Sequence, residues 1–293
     1  MTLTAPRKFA RYQLDLATRS TDVRMVGNCP GSLALKHLGS EQTPATFLEL
    51  GTRLHQTIEK SVLEDLDLDA ALGWLCRAID GDVEDLGHAE YVIESRARTL
   101  ASMHDDARRL LTAWFDRVHP DSPKRLEIYG SYQWPPRVEV PFLRSAESAG
   151  TKYPVWGTVD ALFAAQHGDG LAVVDWKGGT NRQRDDYQLH HYRFGLDVPD
   201  AKAWFHNLDK PRATIQEAEL YPGDPAVRQR IRATEEVKLG ILEDGFARFQ
   251  PSKLCRYCPV ADSCPAIARG REREQKMSDL RRRIRLASES REA

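Results

Sequence analysis

The tightest constraint on what this chain can fold into lies between residues 155 and 192, where two runs of strand-forming residues each carry a carboxylate. Residues 155–165 and 171–176 are rich in β-branched and apolar side chains, and Gln166, His167, Gly168, Asp169 and Gly170 between them are turn formers. The pattern predicts a hairpin. Side chains two apart on a strand share a face, so Asp175 and Lys177 point the same way while Trp176 turns toward the core. For Asp160, in Gly157-Thr158-Val159-Asp160, to join them it must lie opposite residue 175 or 177. A symmetric five-residue loop would pair it with Trp176, so an even-length loop or a bulge is expected.

Two carboxylates and an amine on one face suit a particular chemistry. The acids can hold an oxygen-ligated divalent cation, Mg²⁺ or Mn²⁺, while Lys177 orients or helps deprotonate an attacking water and stabilises developing negative charge. Downstream, Asp185 and Asp186 can cap a helix on which Gln188 and Tyr192, four residues apart, share a face. From there they can orient Lys177 or grip a nucleic-acid backbone. Each piece alone has a plainer reading, since an Asp-x-Lys on a strand is commonly a solvated ion pair and a Gly-x-x-Asp commonly a turn. Their order and close spacing favour the sharper one.

Residues 44–64 show a helical stripe at Phe47, Leu50, Leu54 and Ile58, and beside it a second stripe of Gly51, His55 and Glu59. A glycine inside a helix costs about 1 kcal/mol relative to alanine, so Gly51 suggests close approach of another backbone. Residues 65–85 are strongly acidic and read as a solvated helix with loops, with Cys76 structural. Residues 91–118 read as a long amphipathic helix burying Ile93, Leu100, Met103, Leu110, Leu111, Trp114 and Phe115. A strand pair is expected at 126–134 and 137–143, broken at Pro135-Pro136, with Glu139 on the second strand making a structural ion pair rather than serving as a ligand. Residues 202–207 and 214–220 read as strands and 225–246 as an amphipathic helix, an order that points to a mixed sheet covered by helices.

The chain has five cysteines, and three of them, Cys255, Cys258 and Cys264, fall in a short loop flanked by Pro251, Pro259 and Pro265. A four-thiolate site needs one more ligand, and Cys29 is a better candidate than Cys76. Such a site would staple the chain ends together. Spacing alone leaves Zn²⁺ and an iron-sulfur cluster open. No run is long and apolar enough to span a membrane, and the amino terminus, carrying Arg7, Lys8, Arg11 and Asp15, lacks the apolar stretch of a signal peptide, so a cytoplasmic location is expected. A net charge of −1 confines any nucleic-acid contact to a local basic groove. The arginine-rich stretch 269–285 is either a phosphate-contacting element or a solvated tail.

Gly157-x-x-Asp160, Asp175-x-Lys177 and Gln188-x-x-x-Tyr192 resemble the successive motifs of RecB-like nucleases in the PD-(D/E)XK superfamily. With the cysteine pattern, the chain is similar to CRISPR-associated and bacteriophage-encoded iron-sulfur exonucleases. The resemblance rests on sparse motifs over most of the chain and leaves the middle helices and basic tail outside. It implies a restriction-endonuclease-like α/β core, a mixed central sheet flanked by helices. Residues 1–125 would form a mainly helical region with Cys29 and His55, 126–222 the nuclease core, 223–268 a helix and cysteine-rich loop, and 269–293 a basic tail. The resemblance makes Asp160, Asp175, Lys177, Gln188 and Tyr192 catalytic, with His55, Asp160 and Asp175 on Mg²⁺ or Mn²⁺. It favours a 4Fe-4S cluster over zinc on Cys29, Cys255, Cys258 and Cys264. Asp175 stands where many relatives carry glutamate, which could alter the metal position. The implied activity is exonucleolytic hydrolysis of single-stranded DNA or DNA ends in recombination, repair or spacer processing, alongside recombination or CRISPR adaptation proteins. A non-cutting DNA-end binding subunit is the alternative, and RNA a weaker substrate class.

Overall fold

The computed structural model describes residues 17–37, 46–86, 100–148, 150–168, 170–178, 186–209, 214–244, 249–250, 255, 258, 264 and 266–267. The stretch 269–285, Asp185 and Ile93 lie outside them. The elements run α1 (Ser20–Asn28), α2 (Pro30–His37), α3 (Thr46–Glu64), α4 (Leu68–Leu86), α5 (Leu100–Arg117), α6 (Arg125–Tyr129), β1 (Arg137–Ser148), β2 (Thr151–Ala164), β3 (Leu171–Lys177), α7 (Tyr187–Leu196), β4 (Lys202–Asn207), β5 (Thr214–Glu217) and α8 (Asp224–Asp244).

One compact unit comprises Tyr12–Val23 and Pro44–Glu235, the other Met1–Arg11, Arg24–Thr43 and Glu236–Ala293. The larger holds a five-stranded sheet in the order β1-β2-β3-β4-β5. Its pairings are antiparallel except β3 with β4, which is parallel and bridged by α7, as a parallel connection requires. β3 is nearly all apolar because both its faces are covered. Ala172, Val174 and Trp176 pack with α3, α4 and α5, while Val173 packs with α7 and α8. The expected stripe of α3 is borne out at Leu50, Leu54 and Ile58. Burying an aliphatic side chain fully contributes about 1.5–3 kcal/mol, so this stripe is a principal anchor of the helix. In the smaller unit Ala34 of α2 is fully buried, with Val237 and Phe249 against it.

Several local expectations are corrected. Residues 126–134 are not a strand: α6 and an isolated bridge from Tyr132 to Ala165 occupy the stretch. Tyr129 is drawn into the core instead, its ring stacked on Phe163 at 4.7 Å, and β1 takes β2 as its partner. Helix α4 is more than a solvated acidic segment, since Ala71, Leu75 and Ile79 form a buried stripe that its acidic composition conceals. A Cβ at Gly51 would meet nothing within 4 Å, so no backbone crowds it. Among the described residues, no helix is long and apolar enough to cross a membrane.

Candidate active site

The acids arise where the strands lose their regular alternation. β1 and β2 pair Val138 with Ala161 and Val140 with Val159, and the ladder skips Glu139 and Asp160 between them. Glu139 has φ 44°, a left-handed conformation unusual for a residue with a long side chain. As a result Val138 packs with the helical layer and Val140 with the opposite one, although they are two residues apart, and Ala161 and Val159 divide likewise. Both strands change face at this point. The β2–β3 register, Ala161 opposite Val174 and Ala164 opposite Leu171, puts Asp160 level with Asp175 on continuation. Ala165 donates to Gly170, which leaves four residues in the loop, the even length that the sequence requires.

Beyond Ala161 and Val174 the two strands part, and side chains take over their backbone groups. The N–H of Trp176 donates to Asp160 Oδ2 at 2.8 Å, and its carbonyl lies 3.1 Å from His55 Nε2. A carbonyl can only accept, so Nε2 carries a proton and His55 Nδ1 is turned toward the acids. That nitrogen lies 3.4 Å from Asp160 Oδ1 and 3.7 Å from Glu139 Oε1. Among the described residues, His55, Glu139 and Asp160 are the one set whose ligand atoms all lie within 4.8 Å of one another. Burial opposes the charge on His55, but the neighbouring Asp160, Glu139 and Asp175 carboxylates outweigh it and raise the imidazole well above its ordinary pKa. Burial also opposes ionisation of Asp160, yet His55, Lys177 and the Trp176 N–H hold that carboxyl below its ordinary value. A proton on Nδ1 and a divalent cation would therefore compete for one place.

Asp175 stands beside this set, with its Oδ2 buried and without a hydrogen bond. Its Oδ2 is 2.5 Å from Lys177 Nζ, and its Oδ1 accepts from Gln188 Nε2 at 2.8 Å and from the Tyr192 hydroxyl at 3.4 Å. Gln188 Oε1 accepts from Lys177 at 3.4 Å, and Gln188 Nε2 also lies 2.7 Å from the Tyr192 hydroxyl. Burial pushes the Asp175 carboxyl up to about 6, with Asp160 adding and Lys177 opposing. Gln188 is thus hydrogen-bonded to both Lys177 and Asp175. The expected cap is corrected: Asp186 makes no side-chain bond to the start of α7 and instead accepts from the Glu219 N–H at 3.0 Å.

Helix α7 is brought close by Phe142. Its ring lies where side chains on both Gly157 and Gly195 would be; a Cβ at Gly157 would come within 2.6 Å of it. The glycine of the Gly157-x-x-Asp160 motif thus makes room for a cross-strand ring, and α7 packs near enough for Gln188 and Tyr192 to reach Asp175. The sequence favours Glu139 as a structural ion pair over a further acidic partner in the cleft, and the structure sets its Oε1 3.7 Å from His55 Nδ1. Residue type does not encode its backbone turn.

Cys29, Cys255, Cys258 and Cys264 all belong to the smaller unit, and Cys76 to the larger. The Gln250 N–H donates to Cys29 Sγ at 3.4 Å, and the Cys258 N–H donates to the Cys255 carbonyl at 3.2 Å. None of the five cysteines is in a disulfide.

Similar solved structures include SSO0001, 15% identical over 81% of this chain and 94% of that one with a TM-score of 0.33. Another is a Eubacterium rectale protein provisionally described as an exonuclease, 13% identical over 88% of this chain and 93% of that one with a TM-score of 0.44. At these scores the likenesses carry no conclusion about activity. No curated protein matches. The profile of the PD-(D/E)XK nuclease superfamily matches residues 20–265, which spans most of the chain and both acidic motifs, and this chain belongs to that superfamily.

Proposed function

We propose that this chain is a Mg²⁺- or Mn²⁺-dependent exonuclease acting on single-stranded DNA or DNA ends, in recombination, repair or spacer processing. The observation that carries the reading is the convergence of His55 Nδ1 and Asp160 at a buried point level with Asp175 and its partner Lys177. An imidazole and carboxylate oxygens are a donor set for a divalent ion of this hardness. His55, Asp160 and Asp175 would hold it, and when bound it supplies charge neutralisation at a phosphodiester and activation of water. Lys177 orients the attacking water and stabilises charge developing on the phosphate. Gln188 fixes Lys177 and Asp175 relative to each other, and Tyr192 supports Gln188. Cys29, Cys255, Cys258 and Cys264 would hold a structural 4Fe-4S cluster, a reading supported by their membership of one compact unit.

The deciding assay digests end-labelled single- and double-stranded DNA, with matched RNA, in Mg²⁺, Mn²⁺ and EDTA. Metal-dependent shortening from an end is expected, abolished in Asp160→Ala and Lys177→Ala. Tight DNA binding without turnover in any divalent metal would support a non-cutting subunit instead. Anaerobically purified protein should contain iron and a visible absorption band lost on bleaching, and stoichiometric zinc would overturn the cluster assignment.

A further inference from the structure

We infer that Glu139, which none of the nuclease motifs contains, is a direct ligand of the divalent cation, and that with His55 and Asp160 it forms a seat favouring Mn²⁺ over Mg²⁺. The inference rests on the metal-dependent nuclease reading and deepens it. Its first support is the donor set: Glu139 Oε1 lies 3.7 Å from His55 Nδ1, and one ligand atom from each of the three residues falls within 4.8 Å of the others. His55 Nε2 is committed to the Trp176 carbonyl, so Nδ1 is the nitrogen left to bind an ion. Asp160 is 8% exposed; its Oδ2 is taken by the Trp176 N–H, and its Oδ1 faces the same point.

The second support is the contrast with Asp175. Asp175 has a cationic partner, Lys177, against Oδ2, which makes that ion-pair contact but no hydrogen bond, and its Oδ1 accepts from Gln188 and Tyr192. Among the described residues Glu139 has no lysine or arginine partner, and its one ion-pair contact is with His55. Three carboxylates, Glu139, Asp160 and Asp175, thus stand together with two basic side chains, His55 and Lys177. That surplus of negative charge suits a cation. Both acids lie where β1 and β2 change face, so the same break in the ladder delivers them together.

The ion's chemistry follows from the donors. Mg²⁺ prefers oxygen ligands and retains its waters, whereas an imidazole nitrogen beside two carboxylates suits the softer Mn²⁺.

The test measures Mn²⁺ binding to the full-length protein by calorimetry and by electron paramagnetic resonance, together with the metal-induced rise in Tm. Glu139→Gln is expected to weaken Mn²⁺ binding at least about tenfold, as loss of a direct ligand should cost no less than loss of a supporting one. Glu139→Asn, whose shorter side chain tolerates a left-handed backbone, should keep the metal-free Tm at or above wild type while losing the Mn²⁺-induced rise. Glu139→Gln that binds Mn²⁺ within twofold of wild type would overturn this inference alone. Wild type that binds no Mn²⁺ and cuts no DNA would overturn the parent reading with it, and equal wild-type affinities for Mg²⁺ and Mn²⁺ would overturn the stated preference.

Discussion

Asp160 accepts the backbone N–H of Trp176 at 2.8 Å, so one carboxylate both belongs to the candidate metal site and replaces a missing rung of the sheet. The two roles can be separated. Asp160→Ala leaves a buried N–H without an acceptor and is expected to cost about 1–3 kcal/mol of stability as well as all cleavage. Asp160→Asn keeps an oxygen for that N–H and removes a charge from an acidic cluster. It should be equally inactive yet unfold in urea at a denaturant concentration close to wild type or above it. Equal destabilisation in both variants would refute the structural half of the argument.

In the proposed mechanism the hydrogen bonds of Gln188 to Lys177 and Asp175 give it a positioning role. Gln188→Ala releases Lys177 from one side and Asp175 from the other, and activity should fall about 10–100-fold, the range for residues that orient metal-site ligands. Tyr192→Phe retains the ring and loses only the hydroxyl, so its effect should be smaller. If Gln188 instead served mainly to grip substrate, the loss would appear in KM with kcat unchanged, and the separation of the two parameters decides between the roles.

The hairpin register, the presentation of Asp175 with Lys177 and the apolar stripe of α3 were legible because each rests on a strict period, two residues on a strand or about 3.6 on a helix. Glu139 was legible only as the acid of a structural ion pair. Its approach to His55 depends on a left-handed backbone at one position and on the consequent change of face, which no residue pattern announces. The misreading of 126–134 has a similar origin: Ile128, Tyr129, Tyr132 and Trp134 suit a strand locally, but packing of Tyr129 against Phe163 and Trp204 draws the segment into a short helix. His55 was legible only through resemblance, since an imidazole on a helix says nothing about which strand it meets.

Phe142 ties the helix to the site. With its ring against both Gly157 and Gly195, even one added methyl overpacks the layer, and Gly157→Ala or Gly195→Ala should each cost about 1–3 kcal/mol. Because α7 carries Gln188, either substitution should lower cleavage more than the stability loss explains. The second-site change Phe142→Leu should restore part of both in the Gly157→Ala background, measured by urea unfolding and the end-labelled DNA assay.

His206 supplies a pH dependence separate from the metal. It is fully buried on β4 beside Trp176, its Nδ1 2.8 Å from the Tyr129 hydroxyl, and burial with the nearby charge of Arg117 lowers its pKa from 6.5 to about 3. A folded-state pKa below the unfolded one means that the unfolded chain binds the extra proton between these values. Stability is therefore present above about pH 6.5 and is lost as pH falls from there toward 3, at up to about 1.4 kcal/mol per pH unit. Asp175 and His55 act in the opposite sense, because their folded-state values are raised, so the His206 contribution is isolated by comparing variants rather than by wild type alone. His206→Gln removes the titration. Between pH 7 and pH 5, metal-free wild type should lose up to about 2 kcal/mol more stability than His206→Gln, measured by urea unfolding at each pH. Parallel pH profiles for the two proteins would show that His206 takes up its proton in the folded state as readily as in the unfolded one.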